Sequence, residues 1–169
     1  MKMKKIHLLI KEDFDLIRKA FMKNKKIMLP IFSGVIFAII MGKVDIIIIL
    51  LACIAFVDFN TLYIPDIFNY LIILIGLMKF NSYFILLGIF LISFLFYYAR
   101  RDALGYGDIK LIFGLSLNYG FNVFFIIIFS VLISYLFEKK GKIAFGYYLF
   151  WGTIIEKIWF FNFNPFTFF

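Results

Sequence analysis

Seven apolar stretches dominate this chain, at residues 27–42, 46–57, 67–80, 83–98, 109–118, 121–137 and 143–161, with only short polar breaks between them. A backbone in apolar surroundings has to satisfy its own N–H and C=O groups, and a helix does so within a single segment. Of 169 residues, 64% are apolar, against about 45–50% in soluble domains. A domain of this size still leaves much of its surface outside the core, so a bilayer is the expected solvent. The expected fold is an all-α, polytopic membrane bundle of about seven helices, six or seven of them transmembrane. Several stretches fall short of the ~20 residues that cross a bilayer unaided. Flanking residues must supply the missing turns, or those helices begin inside the protein. The 26 phenylalanines carry no functional weight.

Charge placement orients the bundle. Nine of the 18 Lys/Arg lie within residues 2–26. With seven spans and that end in the cytosol, Arg100, Arg101, Lys110, Lys139, Lys140 and Lys142 fall on the same side. Only Lys43, Lys79 and Lys157 fall on the other. Cytosolic loops carry the excess of Lys/Arg, so the net charge of +8 reports topology and predicts no nucleic-acid partner. Residues 1–26 form a separate basic segment, in which Ile6, Leu9, Ile10, Phe14, Ile17 and Phe21 follow helical spacing. An amphipathic helix on the inner leaflet is predicted there; a solvated basic tail is the plainer alternative. The segment lacks a cleavable signal pattern, and His7 reads as an ordinary surface histidine. Residues 27–169 form one membrane domain, with no internal repeat or low-complexity linker.

Two aspartates stand at the ends of apolar stretches, Asp58 in Asp58-Phe59-Asn60-Thr61-Leu62-Tyr63-Ile64-Pro65-Asp66 and Asp108 in Gly105-Tyr106-Gly107-Asp108-Ile109-Lys110. The charge count puts both at the cytosolic face. An ionisable group at membrane depth is costly and points to function. Two carboxyls held close share a proton, because like charges cannot both ionise easily. One can then take a proton from water while the other donates to a carbonyl, which is the chemistry of an aspartyl protease. It needs no metal and no cofactor.

Gly105 and Gly107 permit close backbone approach beside Asp108, and Pro65 suits a helix start. Asp66 fits the first turn of that helix through the dipole. Lys110 and Arg101 read plainly as positive-inside anchors. The lone Cys53 excludes an internal disulfide or a C-x-x-C zinc pair and reads as a packing residue. No serine-hydrolase elbow, P-loop or H-E-x-x-H motif is present.

At these residues the chain resembles the type IV prepilin peptidases, membrane aspartyl proteases of the G-x-G-D class. The first family phrase is an Asp, five residues, Ile or Leu, Pro, and Asp or Asn, matched by Asp58 through Asp66. The second is the Gly105–Leu111 turn, approached through the basic stretch Arg100–Leu104. A third stretch, Ile143–Leu149, is similar to a late Ile-Pro-Phe-Gly-Pro segment, with both prolines absent at 144 and 147. The likeness runs from about residue 45 to 152. It implies Asp58 and Asp108 as the catalytic pair, with Gly105, Gly107, Lys110, Pro65 and Asp66 in supporting or substrate-binding roles. It also implies prepilins or pilin-like precursors as substrates, cut after a short basic leader at the cytosolic membrane face. Asp66, Asp102 and Glu138 are candidates for docking such a leader. Many relatives carry two C-x-x-C pairs in an insert and methylate the product; this chain has one cysteine and no such insert, so a peptidase-only form is expected.

Two other classes fit an apolar chain with two aspartates. An ion or solute transporter uses intramembrane carboxylates but tends to show structural repeats, which are not visible here. A presenilin-like or signal-peptide-peptidase-like protease shares G-x-G-D, but its first aspartate follows a tyrosine, whereas Val57 precedes Asp58.

Overall fold

Each of the seven apolar stretches becomes one helix, and the basic N-terminal segment adds another. The computed structural model describes residues 2–23, 25–79, 81–99, 105–138 and 143–163, with side chains for 10–23, 25–79, 81–97, 105–138 and 143–159. Among these residues the order is α1 (Lys2–Lys23), a short 3-10 turn (Lys25–Ile27), α2 (Met28–Ile40), α3 (Ile46–Thr61), α4 (Asp66–Met78), α5 (Ser82–Ala99), α6 (Tyr106–Tyr119), α7 (Asn122–Phe137) and α8 (Phe145–Phe163). The described residues contain no strand, as an all-α fold requires. The expected break within 109–137 falls at Gly120, where a φ of 55° ends α6.

The starts of the helices follow from local chemistry. Asp45 caps α3 by accepting the Ile48 N–H at 2.9 Å, so one orphan donor of the first turn is satisfied. Pro65, with φ −62° and ψ 131°, brings the chain extended into α4. Gly105 does the same before α6, at φ −71° and ψ 147°.

The helices pack as two sets, α3 with α8 and α7, and α4 with α6 and α5. Helix α1 bridges the sets by touching both α3 and α4, and α2 lies against α3. At the centre, Ile47, Ile48, Leu51 and Ile54 of α3 meet Leu149 and Phe150 of α8, all of them essentially solvent-free. In the second set Ile72 of α4 and Leu111, Ile112 and Leu115 of α6 are equally buried. Burial of such side chains contributes about 1.5–3 kcal/mol each where the alternative is water.

The outer faces are apolar as well. Leu29 and Ile40 of α2, Tyr83 and Phe90 of α5, and Leu136 and Phe137 of α7 are all exposed. Among the described residues no helix is long and apolar enough to cross a membrane. The 16 residues of α3 rise about 24 Å at 1.5 Å per residue, against a hydrocarbon core of about 30 Å.

Three details differ from the sequence reading. The face of α1 that meets the bundle carries Asp13 and Ala20, both buried, while Ile10, Phe14 and Phe21 of the predicted apolar stripe are exposed. Cys53 is an exposed free thiol and not a packing residue, because the buried side of α3 is already filled by Leu51, Ala52, Ile54 and Ala55. Lys110 lies inside α6 and not in a loop.

The end of the bundle away from Asp58 is tied by a polar knot. Lys157 of α8 pairs with Asp45 Oδ2 at 2.7 Å, and the Tyr119 hydroxyl donates to the same oxygen at 3.2 Å. One carboxylate thereby joins the start of α3, the end of α6 and the last part of α8. Asp45→Ala should lower stability by about 1–2 kcal/mol, a typical cost for a lost N-cap. Asp45→Asn, which keeps the cap but loses the ion pair, should lose less. Thermal unfolding in detergent checks both, and equal midpoints for all three proteins would contradict the assignment.

Candidate active site

Asp58 sits in the last turn of α3 and is 4% exposed. A helix C-terminus carries partial negative charge and opposes a carboxylate there. The compensation comes from α8. Gly146 N–H donates to Asp58 Oδ2 at 2.7 Å, and Tyr147 N–H reaches the same oxygen at 3.4 Å. The start of one helix thus faces the end of another, with the carboxylate between them. A Cβ on Gly146 would lie 3.0 Å from Asp58 Oδ2 and 3.1 Å from Ile64 Cδ1, so the close approach needs glycine. The absent proline at 147 now has a consequence: Tyr147 has an N–H to give, and proline has none.

Asp108 occupies the first turn of α6, where the dipole favours a carboxylate. Its Oδ2 accepts the Gly105 N–H at 3.3 Å, reaching back over the turn. Gly107 brings α6 against the 62–65 loop, since a Cβ there would stand 3.2 Å from Ile64 Cβ. The loop itself reverses at Leu62, which holds φ 57° and ψ 35° and donates its N–H to Asp58 O at 2.7 Å. A left-handed leucine is uncommon, and this one stands beside the candidate site.

Both aspartates line one cavity of about 290 Å³, together with Leu62, Tyr63, Ile64, Tyr106 and Ile143. Gly105, Gly107, Asp66 and Lys110 complete its described wall. Both carboxyls lie just beyond the apolar stretches 46–57 and 109–118. Burial pushes the Asp58 carboxyl up from the usual carboxylate range; the Gly146 and Tyr147 N–H groups oppose the rise and the Glu138 charge adds to it. Burial pushes Asp108 up too, the charge of Asp58 adds to the rise, and the Gly105 N–H opposes it. The two carboxyls thus share one cavity, and the charge of Asp58 reaches Asp108.

The structure brings every predicted site residue but Pro65 to this one cavity. Pro65 stands just outside the wall, as the residue before α4. Lys110 is not a simple anchor: its Nζ donates to Asp66 Oδ1 at 2.7 Å and Oδ2 at 2.8 Å. Both oxygens of Asp66 are thus held by Lys110, which leaves it little to offer a basic leader. Glu138 accepts from the Tyr148 hydroxyl at 3.0 Å. Asp102, Arg100 and Arg101 lie outside the described residues.

Three contributors were not singled out from sequence. Asn69 is fully buried and donates to Gly107 O at 3.3 Å, which ties α4 to the turn before Asp108. Its signal was a lone amide in an apolar helix. Gly146 and Tyr147 lay within the third matched stretch, but only contact with Asp58 shows what they do. Among the described residues no group of three His, Cys, Asp or Glu side chains gathers to hold a metal ion.

Among the described residues the protein is all helical, and two carboxyls, Asp58 buried and Asp108 half-buried, share one cavity with no Ser, Thr or Cys in its described lining, the makings of a water-activating acid–base pair. Residues 46–138, more than half of the chain, match the model of the type IV leader peptidase family. The chain belongs to that family and is a peptidase. No curated protein and no solved structure matches it.

Gly146→Ala should push the α8 terminus and Asp58 apart by a few tenths of an ångström and lower peptidase turnover by roughly 3- to 10-fold, less than the ~100-fold of a full ångström misplacement. Steady-state kinetics on the folded variant checks this; parental turnover would show that the α8 contact is dispensable.

Proposed function

We propose that this chain is a membrane aspartic endopeptidase that removes the short basic leader of prepilins or pilin-like proteins at the cytosolic membrane face. The observation that carries the reading is that Asp58 and Asp108, 50 residues apart in the chain, line one cavity, where the charge of Asp58 reaches Asp108. In the resting pair one carboxyl holds a proton and the other is ionised. The ionised group takes a proton from a water, and that water attacks the scissile carbonyl. The protonated group donates to the carbonyl oxygen and stabilises the tetrahedral intermediate. The proton roles belong to the pair, and neither residue is fixed as base. Gly105, exposed beside Asp108, leaves room for an extended substrate backbone, while Gly107 serves the packing of α6 on Ile64.

The apolar outer faces of α2, α5 and α7 favour a bilayer as surroundings, since exposed apolar surface on this scale marks membrane or partner contact. Charges cluster at the two ends of the bundle: Asp58, Asp66, Asp108 and Lys110 at one, Asp45 and Lys157 at the other. The short helices fit a locally thinned bilayer. Helix α1 then lies on the inner leaflet with Ile10, Phe14 and Phe21 toward lipid.

Co-expression with a prepilin-type precursor tests the reading through leader removal. Asp58→Asn and Asp108→Asn should each lose at least about a hundredfold in cleavage, as expected for a lost acid–base partner, at unchanged membrane levels. Full cleavage by either variant would sink the mechanism. Because both carboxyls are raised, the singly protonated pair persists above the ordinary carboxylate range. Activity should fall in acid, where both are protonated, and fall again at higher pH, where both ionise. The optimum should lie above the usual carboxylate pKa, and a flat profile across that range would contradict a proton-sharing pair.

A further inference from the structure

We propose that Asp13 and Lys23 of α1 are positioning residues for the carboxyl pair, acting through the two helix ends that flank the 62–65 loop. The kinetic part of the inference rests on the peptidase reading above; the structural part does not.

Helix α4 cannot cap itself. Pro65 stands at its N-cap with no side-chain acceptor, and the first N–H groups of a helix have no partner within it. Asp13, on a different helix, supplies the missing acceptors: Asp66 N–H donates to its Oδ1 at 3.3 Å and Ile67 N–H to its Oδ2 at 2.9 Å. Asp13 is 5% exposed, so both oxygens are committed to this contact in a buried setting. At the other side of the loop, Lys23 Nζ donates to Asn60 O at 2.7 Å, in the last turn of α3 and two residues beyond Asp58. The signs match the helix ends, an anion at the start of α4 and a cation at the end of α3. Between the two contacts Ala20 is wholly buried and the Phe21 ring lies 4.8 Å from that of Phe56. One helix thus spans the loop from both sides.

The consequence reaches both aspartates. With α4 capped by Asp13, the Asp66 carboxylate is released from capping and holds Lys110 instead. Lys110 is two residues past Asp108 on α6. Asp13 therefore bears on Asp108 through Asp66 and Lys110, while Lys23 bears on Asp58 through the last turn of α3. A helix that only tethered the N-terminus to a membrane would not need a buried carboxylate facing α4.

The test uses the full chain in vesicles and a synthetic peptide with a short basic leader, a glycine and an apolar segment. Asp13→Ala should lower kcat about tenfold with KM within about twofold, because geometry and not substrate affinity is disturbed. Asp13→Asn, which keeps one acceptor oxygen and turns an NH2 toward the other N–H, should recover only part of kcat. Lys23→Met should act like Asp13→Ala, with Lys23→Arg restoring turnover. Asp15→Ala, on an exposed position of the same helix, should match the parent. Hydrogen exchange of residues 62–67 should quicken most in Asp13→Ala and less in Asp13→Asn, where one of the two N–H groups keeps its acceptor. Where Asp13→Ala does not accumulate, Asp13→Glu, which displaces the oxygens by one methylene, should show the same kcat loss in milder form. Parental kcat in Asp13→Ala, a change confined to KM, or unaltered exchange at 62–67 would each overturn the proposal. A parent that cleaves no leader peptide would count against the peptidase reading, and the exchange result would then decide the clamp alone.

Discussion

The contact between the Asp58 carboxylate and the first turn of α8 is the constraint on which the rest of the site depends. Asp58 is placed badly by its own helix, in the last turn of α3 where the carbonyls point toward it, and it is nearly sealed from solvent. Without the Gly146 and Tyr147 N–H groups a buried carboxylate there would simply stay protonated. With them the cost of ionising the carboxyl is reduced, although burial still holds it above the usual carboxylate range. The packing of α3 against α8, with Ile54 and Leu149 in the same core, therefore also sets the acid–base chemistry of the cavity.

The second constraint is the loop from Leu62 to Pro65. It must reverse the chain between two helices within four residues and present Ile64 to both Gly107 and Gly146. The reversal leaves a left-handed leucine at one end and a proline N-cap at the other. Neither end satisfies itself, which is why partners from distant parts of the chain converge on it. Asp13 accepts from the first turn of α4 and Lys23 donates to the last turn of α3, while Asn69 ties α4 to Gly107 of α6.

The apolar runs were legible in sequence because their lengths and breaks leave helices as the only economical backbone. The pairing of Asp58 with Asp108 was legible for a different reason: counting basic residues on alternate sides put both at one face. What stayed hidden depended on which atoms meet. The spacing of Ile10, Phe14 and Phe21 marked α1 as amphipathic, but a second face carrying Asp13 and Ala20 is the one that docks. Periodicity treats an aspartate as solvent-facing, and here the carboxylate is buried because it finds two N–H donors on another helix. Lys110 misled in the same way. Its position beside a basic loop suggested an anchor, while its long side chain reaches Asp66 across from α6 to α4. Cys53 failed for a packing reason, since a helix apolar on every side gives no sign of which residues face inward.

The matched region, 46–138, contains both aspartates and the Gly105 N–H that Asp108 accepts, but neither the donors to Asp58 nor the cap of α4. The donors to Asp58 come from residues 146 and 147, after it, and the cap of α4 comes from residue 13, before it. Backbone N–H groups leave almost no trace in a residue pattern, because many side chains can occupy a position whose amide does the work. A capping carboxylate on a separate helix is equally free to drift in sequence, provided some acceptor reaches the same two amides. The recognisable phrases of such a protein are therefore those in which a side chain itself is indispensable, and the scaffold that tunes them lies in the segments where the pattern fades.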